Sequence, residues 1–579
     1  MAVGGGGADG WVCVMVVVSA CWWWLLVVVP VKRRGCRWWL SVVVAVNCET
    51  KRKRNTTPKL PNGLDYLPKK LRYLHWDTYP LRTLPSNFKP KNLVELNLRF
   101  SKVEQLWEGK KEAFKLKSIN LSHSRHFIKM PDPLETPNVE TYLLDYTNLA
   151  CVPSSIQNFK YLSALSFEGC KSLMSFPSNL HFVCPVTINF SSCVNLIEFP
   201  QISGNITRLY LGQSAIEEVP SSIECLTDLA ELDLSSCKRL KRISTRFCKL
   251  KSLVKLILNG CLNLERFPEI LEKMEHLKRI NLDRTAIAEL PSSFENLPGL
   301  KKLSVSDCSK LDKLPDNIGN LESLRHISAA GSAISQLPSS VADSNVLEIL
   351  EFSRCKGLVS LPRSLLLGLS SLGRLNISYC AVMEIPQEIA CLSSLTGLDL
   401  SGNNFECLPA SIRQLSRLWS LDLEGCKMLQ SLPELPLCLE SLDLTDCKML
   451  RSLPELPLCL QSLNARNCKR LESLPEIPSC LQELDASVLE KLSKPSPDLR
   501  QWGGGWLESQ AIYFGFTNCL KLNGKANNKI LADSLLSLRH MAIASLRLGY
   551  EMAINEKRSE LRGFRSKGLF TISIMMTSH

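Results

Sequence analysis

The sequence predicts an α/β solenoid, and three observations carry that prediction. A Leu-x-x-Leu-x-Leu-x-x-Cys frame recurs, with Cys170, Cys193, Cys237, Cys261, Cys308, Cys355, Cys380, Cys426, Cys447 and Cys468 in its ninth position. Copies of the frame start at Leu71, Leu93, Leu116, Val139, Leu162, Pro185, Ile206, Leu229, Leu253, Leu277, Leu300, Leu324, Leu347, Leu372, Leu395, Leu418, Leu439, Leu460 and Leu481, spaced 21 to 25 residues apart. Between copies the chain repeatedly reads apolar-Pro-x-x-apolar, as at Val219-Pro220-Ser221-Ser222-Ile223, Leu290-Pro291-Ser292-Ser293-Phe294 and Leu408-Pro409-Ala410-Ser411-Ile412. One short strand with its return segment cannot bury an apolar face alone, so the copies must stack. The expected result is a leucine-rich-repeat horseshoe with a concave parallel β-sheet and a short α+β C-terminal segment.

Within a copy, positions 1, 4 and 6 are expected in the core and positions 3, 5, 7 and 8 in solvent, because side chains alternate along a strand. Leu229, Leu232 and Leu234, with Glu231 and Asp233 between them, set the pattern. Proline in the return segment lacks a donor and fixes φ, which ends the ladder and starts the convex turn. Position nine calls for a small buried side chain that hydrogen-bonds the turn, since Asn403, Ser214, Thr285 and Ser332 occupy it in other copies. Adjacent rungs also lie within the Cα separation that a disulfide tolerates, but the packing reading is preferred and the thiols are expected free. No Cys-x-x-Cys occurs, which removes zinc and thioredoxin-type spacings. Twenty-four cysteines without paired flanking caps fit a reducing, cytoplasmic setting.

The repeats are expected to fill residues 60–487. Ahead of them, 1–59 is an apolar and then basic segment. Residues 11–30 are long and apolar enough for a membrane span, and Lys32, Arg33, Arg34 and Arg37 would keep the chain beyond them cytoplasmic. The alternative is a stretch without native structure, and the lack of a preceding positive residue argues against a secretory signal. Lys51-Arg52-Lys53-Arg54 resembles an import signal but fits a solvated linker better. Residues 488–579 form a post-repeat segment: a linker marked by Lys494-Pro495-Ser496-Pro497 and Gly503-Gly504-Gly505, a strand over 511–519, and a helix with Leu531, Leu535, Leu538, Ala542 and Leu546 on one face.

The formal charge of +13 is concentrated at the ends. Residues 31–70 hold eleven Lys/Arg against Glu49 and Asp65, and 488–579 hold thirteen against seven acids, so the repeats are near neutral. A nucleic-acid-binding solenoid needs a basic stripe, and direct nucleic-acid binding is therefore not expected. Nor is catalysis: no Ser/His/acid set, carboxylate pair or metal spacing stands out, no cofactor is implied, and His75, His123 and His326 fit exposed strand positions.

From about Leu60 the chain resembles the repeat region of plant intracellular immune receptors of the Toll/interleukin-1-receptor-like, nucleotide-binding, leucine-rich-repeat class. The resemblance rests on Tyr66-Leu67-Pro68, Leu71-Arg72-Tyr73-Leu74-His75-Trp76, Tyr79-Pro80-Leu81, Leu84-Pro85-Ser86, Leu93-Val94-Glu95-Leu96 and Leu106-Trp107-Glu108-Gly109. The near-copies Leu432-Pro433-Glu434-Leu435-Pro436 and Leu453-Pro454-Glu455-Leu456-Pro457 add to it, and Phe514-Gly515-Phe516-Thr517-Asn518-Cys519 looks like the entry to the family's post-repeat β-sandwich, here truncated after about Asn555. The resemblance implies recognition in plant innate immunity. Its NAD-cleaving and nucleotide-switch chemistry does not transfer, since no Gly-x-x-x-x-Gly-Lys-Ser/Thr loop occurs.

The expected partner is a pathogen effector or a monitored host protein, with a full-length receptor as a further partner and membrane contact only through residues 11–30. A constitutive scaffold assembling intracellular signalling proteins is the alternative. The candidate protein-binding residues are Lys255, Arg279, Arg284, Lys302, Arg354 and Arg374, diluted by Asp283, Asp307 and Glu351, then Tyr379, then the acidic set Asp399, Asp422, Glu424, Asp443 and Asp446. Arg374 and Tyr379, where the sign changes, are the expected anchors, because aromatic and arginine side chains dominate interface energetics.

Overall fold

The computed structural model describes Leu64, residues 66–478 and 480–489, and the backbone of further strands at Leu25–Val31, Trp39–Val46, Ile512–Gly515 and Ile572–Met575. The chain forms two compact units, Met1–Ile287 with Asn296–Leu300, and Ala288–Glu295 with Lys301–His579. Each is a stack of leucine-rich repeats.

In the first unit the frame leads into short strands such as Tyr73–Trp76, Glu95–Asn97, Ser118–Asn120, Glu231–Asp233, Lys255–Ile257 and Arg279–Asn281. They pair in parallel at equal frame positions, with Glu231 beside Arg208 and Lys255, and Leu232 beside Leu209 and Leu256. The second unit repeats this from Lys302–Ser304 to Glu483–Asp485. The frame dictates the register, since a one-residue slip would put leucines outside and charges inside. Leu229, Leu232 and Leu234 are indeed buried, at 0%, 2% and 0% exposure.

In most copies the regular strand covers only positions 3 to 5. Positions 7 and 8, expected to continue it, form a turn instead. Position eight is left-handed in copy after copy, from Phe100 (φ 55), His123 (φ 64) and Tyr146 (φ 56) to Gly260 (φ 76), Tyr379 (φ 54) and Asp446 (φ 61). That geometry costs a non-glycine residue about 1–2 kcal/mol. It lets the ladder run past the strand: the Phe100 N–H donates to the Ser122 carbonyl at 3.0 Å, and the Tyr379 N–H to Ser401 at 2.6 Å. Position five prepares the bend. Its Asn or Asp accepts the N–H of position seven, as in Asn120 from Ser122 (3.0 Å), Asp233 from Ser235 (2.7 Å) and Asn376 from Ser378 (2.9 Å). This side-chain turn explains why short amides and carboxylates recur in that slot, although copies such as those with Leu143 and Ile257 do without it.

Position nine behaves as the packing reading expects. The Cys170, Cys193, Cys237, Cys261 and Cys468 thiols each donate to the position-six carbonyl one copy back, at 3.1 to 3.2 Å. The Asn403 amide does the same to Ile377 at 2.9 Å. All ten ladder cysteines are buried, and burial pushes the Cys193, Cys380, Cys426 and Cys468 thiols up to about 12. They are inert positions.

Many return segments become single 3₁₀ turns, and Arg363–Gly368 becomes a short α-helix. The Pro220 carbonyl takes the Ile223 N–H at 3.2 Å over Ser221–Cys225, and Pro409 takes Ile412 at 3.1 Å over Ala410–Gln414. Ile223, Phe294 and Ile412 are fully buried, so the second apolar residue of the signature anchors the turn to the core.

The copy starting at Pro185 departs from the frame. Pro185 is exposed and Val186 is buried. Its strand, Leu180–Asn189, begins ahead of the frame and pairs with Ile202–Tyr210 through register shifts at Val186. A proline cannot donate to a ladder, and a bulge absorbs it by handing the core position to the next residue.

At the ends, Leu25–Val31 pairs antiparallel with Trp39–Val46, and Ile512–Gly515 runs parallel to Glu483–Asp485. Residues 11–24 of the apolar segment, and the helix expected at Leu531–Leu546, lie outside the described residues. Among the described residues no helix is long and apolar enough to cross a membrane.

Candidate protein-binding face

The face of the sheet away from the core, with the position-eight edge beside it, carries the candidate residues. Three lie in the first unit. Lys255 is already engaged, its Nζ 2.8 Å from Glu231 Oε1. Glu231 also accepts the Tyr210 hydroxyl at 3.2 Å and lies 3.9 Å from Arg208 Nε. Arg279 is exposed and in register with Lys255, and Arg284 takes the left-handed position of its copy.

The others lie in the second unit. Lys302 is exposed on its strand in register with His326. His326 is half-buried rather than exposed, and its Nε2 lies 3.2 Å from Glu351. That hydrogen bond, opposed by burial, holds the Glu351 carboxyl below its usual range. Arg354 and Tyr379 occupy successive left-handed positions, and Arg374 stands exposed on the strand beside them.

Asp399, Asp422 and Asp443 then stack in register on neighbouring strands. Each commits one oxygen to its own turn: Asp399 accepts the Ser401 N–H (3.0 Å), Asp422 the Glu424 N–H (2.9 Å) and Asp443 the Thr445 N–H (2.7 Å). Burial, reinforced by like charge from Asp399 and Asp443, raises the Asp422 pKa, and burial followed by the charges of Asp422, Asp443, Asp446 and Asp399 raises that of Glu424. Asp446 takes the Asn467 amide. No group of His, Cys, Asp or Glu among the described residues could hold a metal ion.

Tyr379 joins the two halves. Tyr379 is 47% exposed, and its ring lies against the Cα of Gly402, where a Cβ would come within 2.3 Å of it. Burial raises its hydroxyl pKa first, followed by Glu424, Asp422 and Asp399, while Arg354 lowers it. Charges of both signs therefore lie near it.

The sequence reading missed a second feature, in the first unit. Phe100, His123 and Tyr146, the position-eight residues of consecutive copies, stack at 4.6 and 4.7 Å with planes 6° and 4° apart. The Arg99 guanidinium lies 5.2 Å from the Phe100 ring centre, and Tyr146 closes on Gly169. His123 is thus a stacked turn residue, not a strand residue. Three aromatic residues in one frame slot were the available signal; without the left-handed turn, nothing indicated that their rings would meet.

Residues 247–473 match the repeat family described as disease resistance protein RPS4B-like, leucine-rich repeats, and 92–111 match a general leucine-rich repeat. Similar proteins include the disease resistance-like protein DSC1 of Arabidopsis thaliana, 36% identical over 66% of this chain and 28% of its own length. TMV resistance protein N of Nicotiana glutinosa is 36% identical over 65% and 29%. The repeats of this chain are similar to those of the plant TIR-NB-LRR disease resistance proteins. Disease resistance protein RPP2A of Arabidopsis thaliana is a further relative, 42% identical over 32% of this chain and 14% of its own. The chain spans less than a third of the length of these resistance proteins. Among solved structures, a chain of the Drosophila Toll–Spatzle complex shares the solenoid fold, with a TM-score of 0.54 and 15% identity, over 83% of this chain and 64% of that one.

Proposed function

We propose that this resistance-protein repeat region is a cytoplasmic, non-catalytic recognition module of plant immunity that binds a pathogen effector or a monitored host protein. Its ligand lies along the second unit's sheet, across the change of sign at Arg374 and Tyr379. The supporting observation is the in-register column Asp399, Asp422 and Asp443 next to a ring that also feels Arg354. Complementary fields steer encounter and reject wrong partners, so the reading favours a protein carrying both an acidic and a basic patch.

Capture of interactors from infected and uninfected tissue, compared between the wild-type chain and an Arg374→Glu, Tyr379→Ala variant, tests this. A partner enriched on infection should lose affinity for the variant by tenfold or more, as for a central interface anchor, and its on-rate should change its salt dependence. If both quantities stay unchanged, the binding face lies elsewhere.

A further inference from the structure

The buried position-nine ladder is not the only column of thiols. Cys438, Cys459 and Cys480 each stand three residues ahead of the in-register strand residues Ser441, Ser462 and Glu483. They therefore occupy one slot on three neighbouring rungs. Strands in a sheet lie about 4.8 Å apart, inside the Cα range that a disulfide accepts.

The surroundings of this column are the reverse of the ladder's. Cys459 is exposed, and Cys438 and Cys480 are half-buried. Leu437 and Leu458, the residues just ahead of Cys438 and Cys459, are 83% and 82% exposed, so the approach is open. The Cys480 thiol leans back toward the previous rung: it hydrogen-bonds the Leu458 carbonyl and, at 3.3 Å, the Leu460 carbonyl. Those two peptides bracket Cys459. The Cys438 thiol also leans back, to Leu415 and Leu418 at 3.5 and 3.2 Å, where its rung neighbour Arg417 offers no sulfur. Burial first, and then the charge Cys459 would carry, raises the Cys480 and Cys438 thiol pKa values alike, so it is the direction of lean, toward Cys459 for Cys480 and away from it for Cys438, that selects the pair.

We propose that Cys459 and Cys480 form an oxidation site for hydroperoxides, with Cys459 the attacking thiol and Cys480 the resolving one. With hydrogen peroxide, the Cys459 thiolate attacks one oxygen, the O–O bond breaks, and the leaving hydroxide takes a proton to become water; an alkyl hydroperoxide releases its alcohol instead. The Cys480 sulfur then displaces the second oxygen from the resulting sulfenic acid, again as water, and forms the S–S bond. Two thiols lose two electrons and the peroxide gains them. The Cys459–Cys480 bond spans one whole copy and staples two rungs. Cys447 and Cys468 share the 21-residue spacing but stay reduced, because they are fully buried and no peroxide reaches them.

The test uses the full reduced chain and hydrogen peroxide. Trypsin cuts after Arg466, Lys469 and Arg470 place Cys459, Cys468 and Cys480 on different peptides. Non-reducing peptide mapping should find Cys459 joined to Cys480 within one chain, and N-ethylmaleimide should label Cys459 before peroxide about tenfold faster than Cys468. Cys459→Ser and Cys480→Ser should each abolish the link, and Cys480→Ser should leave Cys459 as a dimedone-reactive sulfenic acid. Cys468→Ser should change nothing. No link, a link from Cys459 to Cys438, a Cys447–Cys468 link or a disulfide-joined dimer would each overturn the assignment.

Discussion

Replacing Gly402 by alanine should destabilise the second unit by about 2 kcal/mol, while the same substitution at Gly397, five residues earlier in the same copy, should not. Gly402 sits at φ +66, which costs an alanine about 1–2 kcal/mol. The smaller unfolded ensemble of alanine returns about 0.4–1 kcal/mol. The added Cβ would also lie 2.3 Å from Tyr379 Cδ1 and 2.7 Å from Cε1, so the ring must leave its seat. Tyr379 is about half covered there, and full burial of a large side chain is worth about 1.5–3 kcal/mol, so unseating it forfeits roughly 1 kcal/mol more. At Gly397 the nearest atom to a Cβ is Arg374 Cγ at 3.6 Å, an ordinary contact, and the backbone is a strand. Only the unfolded-state term remains there, a gain of about 0.4–1 kcal/mol. Because long repeat arrays need not unfold in one step, native-state amide exchange over the copies from Gly397 to Gly425 is the appropriate assay, with urea midpoints beside it. At about 1.4 kcal/mol per tenfold, protection should fall tenfold or more for Gly402→Ala and rise slightly for Gly397→Ala. Equal behaviour of the two variants would refute the left-handed position and the seat it gives Tyr379.

Asp422→Asn should raise stability at neutral pH: the folded pKa is raised by burial, so the fold binds the proton more tightly than the unfolded chain, and stability falls as pH rises from the ordinary carboxylate value through the raised one. The advantage of the variant should therefore vanish in acid, which urea midpoints across pH will show. Leu258→Asp buries an unpaired charge at a site with 0% exposure and should cost several kcal/mol, whereas Cys261→Ser keeps a donor for the Leu234 carbonyl and should cost under about 1 kcal/mol. Equal melting temperatures for that pair would undo the frame. Phe100→Ala should lose about 0.5–1.5 kcal/mol of stacking with His123, measurable as faster amide exchange in the copies around Phe100 and His123.

How much could be foreseen depends on how local each cause is. Burial of positions 1, 4 and 6 and the 3₁₀ turn at the proline signature depend on one copy's own residues, and Ile223 and Leu232 behave as their letters suggest. Position eight was misjudged because its conformation is imposed by ladder hydrogen bonds to the next copy. Glycine at 169, 260, 331, 402 and 425 hinted at it, but Tyr379 and Arg354 adopt the same φ. Pro185 failed as a core position because a bulge, absent from the pattern, moved Val186 inward. The acidic column was legible as charge. Its second duty, holding the turns at Ser401, Glu424 and Thr445, was not, since that depends on where the position-seven N–H points.

The position-five turn needs one acceptor oxygen, and both Asn and Asp provide it. Asn281, Asn376 and Asn464 hold their turns as Asp399, Asp422 and Asp443 hold theirs. Each rung with Asn or Asp in that slot can thus exchange a neutral letter for a charged one with the turn's acceptor retained. Over a stack of copies this makes the outer face a surface whose electrostatic pattern can drift step by step under selection, while the scaffold that displays it stays fixed.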